Sequence, residues 1–76
     1  MKPNIVVKEI MKLRGHNYRT LAEALGKSTP TYISNPLTRE KGMRVDTFIE
    51  MVEAMGCEVI IKSKLDDKTK WSVTND

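Results

Sequence analysis

Apolar residues recur along the first two thirds of the chain in short bursts of helical spacing, separated by glycine and proline. Ile5, Val6, Ile10, Met11 and Leu13 form the first stripe and predict a helix over 4–14, with Asn4 as its cap and Gly15 as its left-handed stop. Asn17 can cap a second helix over 18–25, whose stripe is Leu21, Ala22 and Leu25. Ala22 is small enough for another helix to approach closely, and Gly26 ends the segment. Thr29-Pro30 is a start signal for a third helix, because proline at the first helical position loses no needed hydrogen bond. Ile33 and Leu37, four apart, point inward. Pro36 removes the amide that would bond the Tyr32 carbonyl and disfavours helical geometry at Asn35, so this helix should be short or kinked. After a polar, basic loop over 38–43, Val45, Phe48, Ile49, Val52 and Met55 give the cleanest amphipathic stripe, with Asp46 in the first turn and Gly56 as the stop.

The period then changes. Residues 57–64 are β-branched and partly alternating, 65–69 read as a turn, and 70–74 alternate again. The pattern predicts a hairpin with Val59, Ile61, Trp71 and Val73 on one face. A lone hairpin is marginal in water, so this one should pack on the helices or pair with another chain. The expected fold class is mainly α: four short helices containing a helix-turn-helix, plus a C-terminal β-hairpin. Residues 1–56 form the helical domain, and residues 57–76 form the hairpin, a candidate dimerisation element.

Length and composition narrow the class. With 76 residues, 39% hydrophobic and 30% charged, the chain is one small globular domain with a thin margin of stability. Chains of this size often gain stability by pairing with a second copy. No apolar run approaches the roughly 20 residues of a membrane span, and the start lacks a signal peptide's long apolar core. The single Cys57 cannot form an internal disulfide, so a cytoplasmic location is expected.

Charge is distributed unevenly. Residues 1–44 hold nine Lys/Arg against three acids, a net of +6, while residues 45–76 hold four Lys against seven acids, a net of −3. The basic front half either faces a polyanion or is a solvated surface of uneven charge. Catalytic chemistry is nearly missing. His16 lies in a turn with no carboxylate or Cys near it in sequence, Cys57 reads as packing, and Asp66-Asp67 reads as turn chemistry. No phosphate loop, nucleophile elbow or metal-ligand spacing occurs. The expectation is a non-enzyme without metal or cofactor. Trp71 can stack a base, but hairpin core is the simpler role.

The stretch from Asn17 to Asn35 is therefore the centre of interest. Its two helices present a core face of Leu21, Leu25 and Ile33, and leave Thr31, Tyr32, Ser34 and Asn35 outside. Hydroxyl and amide side chains of this kind hydrogen-bond base edges or phosphates in a major groove. Leu21-Ala22-Glu23-Ala24-Leu25-Gly26-Lys27-Ser28, followed by Tyr32-Ile33-Ser34-Asn35, resembles the Cro/phage-repressor (lambda repressor-like) helix-turn-helix family, and residues 43–56 are similar to that family's fourth helix. The resemblance covers roughly residues 5–56. It departs from the pattern in one extra residue between Gly26 and Ile33 and in Pro36.

The resemblance implies that the second motif helix enters the major groove of double-stranded DNA. Carried over, base contacts fall on Thr31, Ser34 and Asn35. Tyr32 and Thr29 lie near phosphates, Arg19 meets a phosphate, and Arg39, Lys41 and Arg44 flank the groove. The expected function is sequence-specific regulation of transcription by a homodimer, with a phage or mobile-element origin. The alternative is a protein-binding module on the same fold: an antitoxin that covers a toxin, or a phage-encoded inhibitor of a host nuclease.

Overall fold

Proline at the third position starts the first helix. The structure is a computed structural model that describes residues 1–39 and 42–76. In it α1 (Pro3–Arg14) begins with the Lys2 carbonyl accepting from the Ile5 and Val6 amides. Asn4 is thus inside the helix rather than its cap. Its Nδ2 instead donates to the Leu37 carbonyl at 3.2 Å, tying the start of α1 to the end of the third helix. Gly15 closes α1 at φ 73°, a backbone conformation side chains resist, and the His16 amide reaches back to the Met11 carbonyl at 2.8 Å.

The buried face of α1 differs from the predicted stripe. Val7 and Met11 are buried with Ile10 beside them, whereas Ile5 is 43% and Leu13 78% exposed. Ile5, Val6 and Val7 are consecutive, so the pattern leaves the phase open. Ile5 and Leu13 lie about 160° and 120° around the helix from Val7.

Asn17 caps α2 (Tyr18–Ala24) as expected. Its Oδ1 accepts from the Thr20 amide at 2.8 Å, and Thr20 Oγ1 accepts from the Asn17 amide at 2.9 Å. Leu21 and Ala22 are buried. Gly26, at φ 72°, then turns the chain, with the Lys27 amide bonded back to the Ala22 carbonyl at 2.9 Å.

The third helix, α3 (Thr31–Thr38), is preceded by a Pro30 already in helical conformation, whose carbonyl accepts from the Ile33 and Ser34 amides. Thr29 Oγ1 accepts from the Thr31 amide at 3.3 Å, but Pro30 is itself the cap residue and the helix starts at Thr31, one position later than the threonine-proline signal predicts. Ile33 and Leu37 are fully buried, and Pro36 lies within a helix of only 8 residues.

In α4 (Val45–Ala54) the buried residues are Ile49, Met51 and Val52, followed by Met55 just beyond its end, with Phe48 packed against the core. Val45 is 68% exposed, while Met51, outside the expected stripe, is fully buried. Helix α3 packs on α1 and α2, and α4 packs on α1 and α2, around one shared cluster.

Strands β1 (Val59–Lys62) and β2 (Lys70–Val73) form the antiparallel hairpin, shorter than the 57–64 and 70–74 expected. The register pairs Val59 with Val73 and Ile61 with Trp71, which puts these four on one face as predicted. Only the root of that face is covered. Val59 and Cys57 pack against the helical cluster, but Ile61 is 53% and Trp71 56% exposed. Trp71 is therefore not hairpin core, since a two-stranded sheet has no second layer to cover it. Asn75 Nδ2 donates to the Asp46 carbonyl at 2.9 Å and ties the chain beyond β2 to the start of α4. Among the described residues no helix is long and apolar enough to cross a membrane.

Candidate nucleic-acid interface

Burial of Ile33 and Leu37 fixes which side of α3 faces out. At 100° per residue, Thr31 and Asn35 lie opposite that buried edge, and both are exposed. The Asn35 side chain makes no hydrogen bond among the described residues. The Thr31 hydroxyl lies 2.8 Å from that of Thr29. Ser34 sits on the flank and is half-buried. Thr38 shares the outer side, but its hydroxyl donates back to the Ser34 and Asn35 carbonyls at 3.0 and 3.2 Å, which uses its donor inside the helix.

Tyr32 lies on the other flank, toward α4. Its hydroxyl donates to Glu50 Oε1 at 3.1 Å, and the Lys27 ammonium stands 4.7 Å from its ring centroid. Lys27, Tyr32 and Glu50 thus form a strut from the turn after α2, across α3, to α4. Burial pushes the Tyr32 phenol above its ordinary range, and the Glu50 acceptor, its charge and the charge of Asp46 add to that.

A surface hollow of about 520 Å³ gathers Thr29, Thr31, Tyr32, Asn35, Arg39 and Arg44, six of the nine predicted site residues. Arg19 lines an adjacent small hollow with Lys27, Ser28 and Thr29, so Thr29 joins the two. Ser34 lines neither, and Lys41 lies outside the described residues. Arg44 Nη2 is 3.0 Å from Asp46 Oδ2, an ion pair with both side chains exposed.

Comparison with known proteins gives no match. No family model, curated protein sequence or solved structure is significantly similar to the chain. The chemistry of the surface is therefore read from its own geometry.

Sequence reasoning missed the wall of the larger hollow. Asp46, Thr47 and Glu50 of α4 line it opposite Asn35 and Arg39, so two carboxylates share the surface with the arginines. The spacing of Asp46 and Glu50, four apart on one helix, was the available signal. Lys27 and Ser28 beside Arg19 were missed as well. They follow Gly26, and only the path of the turn brings them to the start of α2. His16 is half-buried, with Nδ1 3.0 Å from Thr20 Oγ1, and so supports the cap of α2.

Proposed function

We propose that the chain is a sequence-specific DNA-binding regulator of the helix-turn-helix type. The reading rests on one observation: Thr31 and Asn35 stand exposed side by side on a short helix whose opposite edge is locked by Ile33 and Leu37. Arginines stand on either side, with Arg19 across the turn and Arg39 and Arg44 past the end of α3. In this reading Asn35 and Thr31 meet base edges in the major groove, and the arginines and Thr29 hold phosphates. One helix of 8 residues covers few base pairs, so the protein acts as a homodimer on paired half-sites. The second copy docks on the bare part of the hairpin face, where Ile61 and Trp71 continue a surface whose root is already covered. Sedimentation reads that assembly.

Selection of bound sequences from a random duplex pool tests the reading. It should recover a motif, and Asn35→Ala should cost about 1–3 kcal/mol of discrimination at one position of that motif. Failure to recover a motif, or an Asn35→Ala protein that discriminates as well as the unmodified one, refutes it. The carboxylates of Asp46 and Glu50 in the same hollow favour a second reading, in which the surface binds a protein, as an antitoxin or nuclease inhibitor does. That reading predicts no duplex binding and a protein complex little affected by salt.

A further inference from the structure

The net negative charge of residues 45–76 hides a basic cluster. All four lysines of that segment lie between positions 62 and 70, together with only two of its seven acids. The register sets Lys62 directly across from Lys70, and like charges facing each other across two strands repel. Lys64 lines the same surface hollow as that pair. The one ion pair among the described residues, Arg44–Asp46, is at the start of α4 and not in the hairpin. Asp66 and Asp67 line that hollow too, three lysines against two carboxylates, and Asp66 is held by its own turn. Its Oδ1 accepts from the Lys68 and Thr69 amides at 2.9 and 2.6 Å, and its Oδ2 accepts from the Thr69 hydroxyl at 3.0 Å. The hairpin is therefore two-sided, with Ile61 and Trp71 on one face and the Lys62–Lys70 pair on the other.

We propose that the lysine face of the hairpin is a second phosphate-binding surface, which grips the backbone of duplex DNA outside the segment that α3 reads. This rests on the DNA-binding reading of α3. An anion between Lys62 and Lys70 turns their mutual repulsion into shared attraction. Lysines supply flexible point charges without the rigid fork that reads guanine edges, so they suit the uniform backbone rather than the bases. The molecule is 42 Å long, more than the roughly 34 Å of one turn of duplex, so the hairpin extends the reach of a small domain.

The test is a Lys62→Gln/Lys70→Gln double variant, assayed with Asn35→Ala on the selected duplex and on random duplex at rising salt. The double variant should lower the slope of log affinity against log salt by about 0.9, for the one phosphate that the pair shares. Its preference for the selected duplex should not change. Its melting temperature should not fall, because the exchange removes a like-charge pair. An unchanged slope and affinity on both duplexes overturns the proposal even when Asn35→Ala has lost its preference. An Asn35→Ala protein that keeps the preference overturns the α3 reading instead. An unmodified protein that binds neither duplex overturns both.

Discussion

Substitution of leucine by alanine at positions 37 and 13 removes the same atoms from two places that differ in burial. Leu37 is fully buried between α3 and α1, and Leu13 is 78% exposed on α1. At position 37 the loss of about three methylene equivalents costs about 2.4 kcal/mol in transfer alone. The cavity left behind brings the total to about 3–5 kcal/mol. A chain of 76 residues has only about 4–11 kcal/mol of stability to lose. A cost of about 3 kcal/mol lowers Tm by about 12–24 °C in a domain of this size. Leu13→Ala should stay within about 0.5 kcal/mol of the unmodified protein. Urea titration and thermal melts followed by circular dichroism read both values. The comparison also decides which face of α1 is inside, since the apolar pattern alone assigns Leu13 to the core. Equal costs at the two positions would refute the packing described here.

Two further outcomes follow from the site. Asp46→Asn frees Arg44 from its ion pair and removes a carboxylate from the hollow. Duplex binding should tighten and its salt slope steepen by about 0.9, with stability changed by less than about 1 kcal/mol; unchanged binding in a salt titration would count against Arg44 as a phosphate contact. Tyr32 should ionise above the ordinary phenol value of about 10, because burial and Glu50 favour its neutral form. The stability from this contact is therefore present below pH 10 and lost as pH rises through the raised value. Phenolate absorbance reads the step, which Tyr32→Phe should abolish.

What the sequence made legible is what neighbours along the chain decide. Gly15, Gly26 and the Asn17 cap are local devices, and each acts where the pattern puts it; the Thr29-Pro30 start acts within one residue of it. The shared face of Val59, Ile61, Trp71 and Val73 follows from strand alternation alone. What stayed illegible depends on docking. The run Ile5-Val6-Val7 gives no phase until α3 and α4 select Val7. Met51 is buried because α4 is enclosed over a broader arc than its stripe implies. The turn of Tyr32 toward Glu50, and the carboxylates beside the arginines, exist only once α3 and α4 are both docked on α1 and α2. In the hairpin, a charge count over half the chain averaged away a lysine pair that the strand register creates.

The core itself carries a consequence. Met11, Met51 and Met55 make up three of the ten buried apolar residues among those described. A thioether chain is long, unbranched and polarisable, so it refills space as helices shift where a branched side chain jams. Such a core repacks at lower cost than one of branched side chains alone. The same softness is a chemical liability: an oxidant that converts these sulfurs to sulfoxides puts polar groups where nothing can solvate them, and the protein loosens from within.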